Sequence, residues 1–321
     1  MSKKDLSRAK MEEEISRATL IWRAVKLPMY TVAFIPLTVG TSAAYLETGS
    51  YSMDRYFILL ASFVLVHLWV NLSNDVYDYD TGADKNKKES VVNIVGSRNA
   101  IHIISWVLLV IGFAGLSWVG FEAKSPRAII LMASAVFCFY TYQCPPYRLG
   151  YQGLGEPLCF VTYGPFSTVA FYLLQSSSSE LPISRTVMSA AILVGFTSSL
   201  ILFCSHFHQV KLGSEKGSKV VKMAVLGLYW LVLGLGLAQT LPFACVLLCA
   251  MTLPKGNLVV SFVQENHKDK SKIFMAKYYC VRLHTILGVA LAAGLGASRM
   301  HYEGQLQSLP THFDRAKFAF F

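Results

Sequence analysis

Charged residues are scarce in this sequence, and most of its apolar segments have no polar face. Only 15% of the 321 residues are Asp, Glu, Lys or Arg, whereas 54% are hydrophobic. Ordinary soluble domains are about 25% charged, and the surface helices of such domains carry a polar side. The composition therefore argues against a large soluble helical core.

Cysteine is present, but not in a pattern that pairs it or binds metal. The seven cysteines are odd in number, most lie inside apolar segments, and they form neither a CxxC pair nor a zinc-like Cys/His spacing. A basic stripe interleaved with aromatic residues is also missing. The sequence therefore predicts no disulfide framework, no zinc site and no binding to nucleic acid, despite a net charge of +10.

Long apolar runs recur along the whole chain. About 20 apolar residues span a bilayer, and a helix satisfies its backbone polar groups within its own segment, as lipid requires. The sequence therefore predicts an all-α, polytopic membrane protein with about nine transmembrane helices. The predicted spans are 27–46, 56–73, 100–121, 128–143, 157–174, 187–207, 223–240, 241–263 and 280–298.

The regions outside these spans differ in charge and length. We expect residues 1–26 to form a polar N-terminal segment, 27–298 the transmembrane domain and 299–321 an irregular tail. The acidic residues of the first segment fit neither a signal peptide nor a transit peptide. Most lysines and arginines fall on the side of the N-terminus, which fixes the orientation. The longer connections lie on that side too, and functional residues are expected there.

Acidic residues gather where the second predicted span ends, in "NLSNDVYDYDTGADKNKKES" (71–90). In a continuous helix, Asn74 and Asp78 are i,i+4 neighbours, and Asp75 precedes Asp78 by three positions. Carboxylate and amide oxygens suit Mg²⁺, which completes its shell with water and substrate phosphates. The alternative is a solvated loop neutralised by lysines, but ionisable residues at membrane depth are costly and usually functional. A metal or diphosphate site is favoured, with Asp84 as a further member.

A second polar cluster, "YTYQCPPYRLGYQGLGEP" (140–157), follows the fourth predicted span. Its two prolines must end the preceding helix. Tyr142 and Arg148 flank this break, with Tyr147 and Tyr151 nearby. Arginine and phenolic hydroxyls suit diphosphate oxygens. An interfacial aromatic belt with an anchoring arginine explains the same composition equally well.

The third polar segment, "FCSHFHQVKLGSEKG" (203–217), contains two histidines. His206 and His208 are i,i+2 neighbours and cannot share one face of a helix. A two-histidine metal site on one helix is therefore disfavoured, and the sequence favours polar residues at the membrane interface.

These segments, together with "IFMAKYYCVRLH", resemble the UbiA superfamily of intramembrane aromatic prenyltransferases. Within it, they are similar to the plant and cyanobacterial branch that prenylates 1,4-dihydroxy-2-naphthoate in phylloquinone (vitamin K1) biosynthesis. The resemblance covers about residues 17–298. It implies a nine-helix bundle that opens to the lipid bilayer, where Mg²⁺ at two Asp-rich motifs holds a prenyl diphosphate, phytyl diphosphate in this branch. The diphosphate leaves, and the aromatic ring captures the allylic cation.

The resemblance also implies roles for individual residues and a location. The implied metal ligands are Asn74, Asp75, Asp78 and Asp84, of which Asp75 and Asp78 are catalytic. The implied diphosphate contacts are Tyr142 and Arg148, followed by Lys85 and Arg98. The implied location is a chloroplast membrane. Two alternatives stay open: prenylation of another aromatic acceptor such as homogentisate, or a non-catalytic membrane protein that binds quinone or prenyl lipid.

The chain departs from the family pattern after Val210. In relatives, the segment similar to "HFHQV" runs into an acidic stretch, the second metal motif, before a segment similar to "KLGSEKG". Here Lys211 follows Val210 directly, and His206, Gln209 and Glu215 replace a pair of carboxylates poorly. We therefore expect the chain to keep the bundle but to have impaired or no turnover.

Overall fold

The computed structural model describes residues 30–82, 90–176, 181–206 and 215–308, and within these ranges the chain is helical without β-strands. The all-α prediction is confirmed. In chain order the helices are α1 (Thr31–Thr48), α2 (Met53–Thr81), α3 (Val91–Val95), α4 (Arg98–Glu122), α5 (Pro126–Gln143), a 3₁₀ turn (Leu149–Gln152), α6 (Gly155–Val161), a π-helical stretch (Thr162–Thr168), α7 (Val169–Gln175), α8 (Arg185–His206), α9 (Glu215–Leu237), α10 (Phe243–Ala250), α11 (Leu253–Asn266), α12 (Lys270–Ile273) and α13 (Ala276–Ser308).

Each predicted span falls on one helix or on consecutive helices, but the count of nine is not confirmed. Among the described residues, six spans are long and apolar enough to cross a membrane, or seven if the bent pair α10–α11 is one span. The helices α1 and α5 are not among them. Both have 18 residues, and polar residues near their ends lower the mean hydropathy below that of the other spans.

The last helix, α13, continues beyond the predicted final span. It ends at Ser308, so residues 299–308 of the predicted irregular tail are helical. Residues 309–321 and the predicted polar segment 1–26 lie outside the described residues.

Helix α2 packs closely along α4, and α13 packs against α1, α8 and α10. Small residues permit the first of these contacts. A methyl group on Gly112 of α4 would lie 2.7 Å from the backbone oxygen of Ser62 on α2. Helices in membranes associate largely through such close packing of small residues. This contact fixes the position of α2, which carries the acidic segment.

The fifth predicted span is continuous in space but irregular in its hydrogen bonding. Pro165 has no N–H to donate, and the chain around it is π-helical. The hydroxyl of Thr168 donates to the carbonyl oxygen of Tyr163 at 2.8 Å, which satisfies an acceptor inside the irregular stretch. This bond pairs one carbonyl of the irregular stretch, and a lipid environment favours such pairing.

We expect Gly112→Leu to lower the midpoint of thermal unfolding of the detergent-solubilised protein. The added side chain has no room against Ser62, and overpacking typically costs about 1–3 kcal/mol. Gly227→Leu on α9 is the matched control, since a side chain there meets nothing within 4 Å. Equal losses in both variants would contradict the close packing of α2 and α4.

Candidate active site

The acidic segment is the last part of helix α2. This helix runs from Met53 to Thr81, well past the predicted end of the second span, and ends where Gly82 adopts the left-handed region at φ 78°. Asn74, Asp75 and Asp78 therefore lie on a helix, as the sequence predicted. Predicted residues Asp84 and Lys85 lie outside the described residues.

Asp75 is buried and holds the chain that returns after the loop. Its residue surface is 1% exposed, and its Oδ2 accepts the backbone N–H of Val91 at 3.0 Å. Val91 is the first residue of α3. A carboxylate at this position closes the loop that begins at Gly82, in addition to any role in binding metal.

Asp78 and Asp80 contact residues from other segments. Asp78 is half-buried, and its Oδ1 accepts a hydrogen bond from the hydroxyl of Tyr151. The guanidinium of Arg98 donates two hydrogen bonds to the carboxylate of Asp80. The distances are 3.0 Å from Nε to Oδ1 and 2.5 Å from Nη2 to Oδ2. The predicted diphosphate contact Arg98 is therefore held by a carboxylate of the same acidic segment.

The end of α5 is bound to α2 beside this segment. The side-chain amide of Gln143, the last residue of α5, donates to the hydroxyl of Ser73. Ser73 in turn donates to the backbone oxygen of Trp69 at 2.6 Å. Both Gln143 and Ser73 are buried, so this pair places the connection 144–156 next to the acidic turns of α2.

Arg148 reaches α2 from that connection. Its guanidinium lies 5.8 Å from the ring centroid of Tyr77, a cation–π contact. Its backbone is left-handed, at φ 45° and ψ 46°, which costs about 1–2 kcal/mol for a residue with a Cβ. Strained residues cluster at functional sites. The predicted residue Arg148 therefore lies against the turn of α2 that carries Tyr77.

Tyr142, the other predicted diphosphate contact, points to the third polar segment. Its hydroxyl lies 3.4 Å from Nε2 of His206, and Nδ1 of that histidine lies 3.4 Å from Oε1 of Glu156. The structure therefore brings Glu156 of the "GLGEP" segment together with His206, the last described residue of α8. The sequence predicted His206 to be an interfacial polar residue and indicated no role for Glu156. Glu156 is the only acidic residue between Glu122 and Glu180, and that isolation was the available signal.

The thiol within the connection has a different character. Cys144 follows α5 and is buried. Burial raises the pKa of this thiol to about 11. The group stays protonated near neutral pH, and a thiol binds metal or attacks carbon only as the thiolate. Cys144 therefore packs in the site as a neutral thiol.

The acidic segment carries the oxygen ligands that suit a magnesium site. Within the described residues, three His, Cys, Asp or Glu side chains do not converge in a metal-binding group. Asn74, Asp75 and Asp78 nevertheless supply an amide and two carboxylates along one helix. Mg²⁺ is held by one or two carboxylates, with waters and substrate phosphates completing its shell. The residues present fit this ion better than they fit zinc, for which nitrogen and sulfur ligands predominate.

Comparisons with known proteins agree with this chemistry. A sequence model of the UbiA prenyltransferase family matches residues 33–281. The chain is 58% identical over 311 aligned positions to 2-carboxy-1,4-naphthoquinone phytyltransferase, chloroplastic, of Arabidopsis thaliana, covering 92% of this chain and 81% of the relative. It is 39% identical over 287 positions to the Synechocystis 2-carboxy-1,4-naphthoquinone phytyltransferase, covering 85% and 92%.

Solved structures share the fold. A UbiA homolog from Archaeoglobus fulgidus bound to GPP and Mg²⁺ superposes with a TM-score of 0.51 at 15% identity, covering 89% of this chain and all of that one. A digeranylgeranylglyceryl phosphate synthase superposes with a TM-score of 0.51 at 12% identity, covering 86% and 99%.

The first of the sequence alignments also contains gaps in this chain. Its 311 positions draw on 92% of this chain, and 92% of 321 residues is fewer than 311. Part of the relative therefore lies opposite gaps in this chain. The absence of the acidic stretch after Val210 stays a prediction. The junction itself, within 207–214, lies outside the described residues.

We expect Asp75→Ala to destabilise the fold even without divalent metal. The substitution leaves the N–H of Val91 without its acceptor, and such losses typically cost about 1–3 kcal/mol. Thermal unfolding in detergent with a chelator measures the effect. Glu265→Ala, at an exposed position on α11, is the control and should change little. Unchanged stability of Asp75→Ala would show that the carboxylate does not hold α3.

Proposed function

Because the chain belongs to the UbiA prenyltransferase family, we propose that it transfers a phytyl group from phytyl diphosphate to 1,4-dihydroxy-2-naphthoate inside a membrane. This is the prenyl-transfer step of phylloquinone biosynthesis. The observation that carries the proposal is the 58% identity, over 92% of the chain, to a naphthoquinone phytyltransferase. The name of that relative also supports a chloroplast membrane as the location of this integral membrane protein.

The donor side of the reaction uses the end of α2. Asn74, Asp75 and Asp78, with Asp84, would hold Mg²⁺, which neutralises charge on the leaving diphosphate when bound. Arg148 adds a guanidinium beside this segment, and guanidinium groups bind phosphate oxygens in two-point contacts. Asp75 is fixed by Val91 and Asp78 by Tyr151, so both carboxylates are positioned before a donor arrives. Lys85 and Arg98 remain predicted contacts of the diphosphate.

Positioning of this kind is what the chemistry needs. The allylic C–O bond breaks as negative charge develops on the diphosphate, and preorganised positive groups lower the barrier by meeting that charge. The allylic cation is then captured by the electron-rich ring of the acceptor. Loss of the ring carboxylate accompanies prenylation in this branch. The lipid-embedded bundle keeps water away from the cation, which water would otherwise trap as an alcohol.

The activity is tested with the full chain in membranes, phytyl diphosphate, 1,4-dihydroxy-2-naphthoate and Mg²⁺. We expect a prenylated, decarboxylated naphthohydroquinone by mass spectrometry under argon, and we expect a chelator to abolish it. Asp78→Asn should lower the rate of prenyl transfer by at least the roughly 10–100-fold typical of damaged metal sites, while Glu265→Gln should leave the rate unchanged.

Preferential prenylation of homogentisate in a competition assay would show that the acceptor is homogentisate instead. Donor binding that is independent of Mg²⁺ and of Asp75 and Asp78, without product, would favour a non-catalytic lipid-binding protein.

Turnover should be slower than that of the Arabidopsis relative assayed side by side. The segment after Val210 lacks the second acidic motif, so fewer carboxylates are available to place metal charge on the leaving diphosphate. The comparison is made at equal amounts of folded protein and saturating Mg²⁺. Equal rates would refute the impairment without affecting the assignment of the reaction.

A further inference from the structure

Three polar side chains meet at the ends of three helices. Binding and cleavage of the prenyl diphosphate do not require them. Tyr142 lies in the last turn of α5, His206 is the last residue of α8, and Glu156 lies in the first turn of α6. They are separated by 64 and 50 residues in sequence but by 3.4 Å at each of two contacts. The imidazole of His206 stands between the carboxylate and the phenol.

The order of these groups fixes the direction in which protons are donated. A carboxylate only accepts hydrogen bonds, so Nδ1 of His206 carries the proton that it donates to Glu156. The second ring nitrogen, Nε2, then has a free lone pair in the neutral ring and accepts the hydroxyl proton of Tyr142. The arrangement is hydroxyl, imidazole, carboxylate. Hydrolytic triads use the same order to withdraw a proton from a hydroxyl group.

The surrounding backbone holds this arrangement in place. The ring of Tyr142 packs against Gly150 so closely that a methyl group there would lie 2.6 Å from a ring carbon. The hydroxyl of Ser199 on α8 donates to the backbone oxygen of Glu156 at 2.8 Å, which ties the start of α6 to α8. Both ends of the proton path are therefore fixed relative to His206.

His206 and Glu156 are partly exposed, so a bound substrate can reach this cluster. The side chains of His206 and Glu156 are 24% and 30% exposed. The groups facing His206 in the described residues are Glu156 and Tyr142. Other titratable groups interact with Tyr142 from α6, α2 and the 3₁₀ turn; they are Cys159, Asp78 and Tyr151. The relay therefore lies near Asp78, a proposed ligand of the metal that binds the prenyl diphosphate. Asp78 itself is not a member of the relay.

We propose that Tyr142, His206 and Glu156 form a proton relay that ionises the aromatic acceptor. The inference rests on the proposed function, because it assigns the relay to the hydroxyl of a dihydroxynaphthoate. It also gives Tyr142 a role different from the diphosphate contact that the family resemblance implied. The relay gives a role to the contact between Glu156 and His206.

One proton moves from the acceptor to His206 and later returns. The acceptor hydroxyl gives its proton to the oxygen of Tyr142 while the original phenolic proton of Tyr142 moves to Nε2 of His206. The resulting imidazolium is stabilised by Glu156. The electron pair left on the acceptor oxygen drives attack of the adjacent ring carbon, which bears the carboxylate, on the allylic cation and yields a β-keto carboxylate. Loss of CO₂ from that carboxylate leaves its electron pair as an enolate, which takes the proton back through Tyr142 and regenerates the relay.

The test uses the full chain in detergent under argon and two measurements, since either one alone is ambiguous. The first follows the absorbance of bound 1,4-dihydroxy-2-naphthoate as pH is raised. The acceptor should ionise at lower pH in the original chain than in Tyr142→Phe or His206→Gln, by about one pH unit, which is tenfold in the ionisation constant. The second is the pH profile of prenyl transfer, whose acidic limb should disappear in His206→Gln, with a loss of roughly a hundredfold in rate.

Glu156→Gln tests the far end of the relay, and two variants serve as controls. Tyr140→Phe removes a hydroxyl that donates to the backbone oxygen of Pro145. His267→Gln changes a histidine that contacts the backbone oxygen of Gln264. Both controls should behave as the original chain does in both measurements, and Glu156→Gln should follow His206→Gln.

The outcomes separate this inference from the proposed function. Equal ionisation of the bound acceptor in the original chain and in His206→Gln overturns the relay but leaves phytyl transfer intact. Absence of transfer in the original chain, with the acceptor still bound and ionised through His206, overturns the proposed activity and supports the relay. Failure of the original chain to bind the acceptor overturns both.

Discussion

A helix in lipid must satisfy its own backbone groups, and this constraint shapes the whole molecule. Charged and strongly polar side chains are costly inside the spans, so they collect where helices end. Helices α2, α5 and α8 all end on the same side of the bundle, and α6 begins there. Four helix termini therefore contribute polar groups to one region: the acidic turns of α2, Tyr142 of α5, His206 of α8 and Glu156 of α6.

The connection between α5 and α6 joins the two parts of this region. Tyr151 donates a hydrogen bond to Asp78, and Arg148 lies over the ring of Tyr77. Both contacts are with the end of α2 that is proposed to bind the prenyl diphosphate. Glu156, at its other end, contacts His206. Glycine is needed here for a steric reason, because the ring of Tyr142 fills the space that a side chain on Gly150 would occupy. A connection that looks like a simple break in the hydrophobic pattern thus positions most of the site.

The predicted loss of the second acidic motif concerns the reaction rather than the fold. The contacts that organise the bundle and the first motif do not depend on it: α2 and α4 pack through small residues, and Asp75 holds Val91 through a backbone N–H. The motif would act on the charge of the leaving diphosphate, a quantity that matters for the reaction rather than for folding. We therefore expect loss of this motif to affect turnover and to leave the bundle folded.

Composition and periodicity by themselves determined the all-helical membrane class, the approximate positions of the spans and the face of α2 that carries Asn74, Asp75 and Asp78. These follow from local properties, namely apolar length and the spacing of residues along one helix. The count of nine spans is not confirmed, because among the described residues the short helices α1 and α5, with their polar ends, are ambiguous by length and apolarity alone. Only the tertiary structure decided that Arg98 is held by Asp80 and that Tyr142 meets His206. Such contacts join residues far apart in sequence, and their geometry is set by how helices pack, which no local pattern encodes.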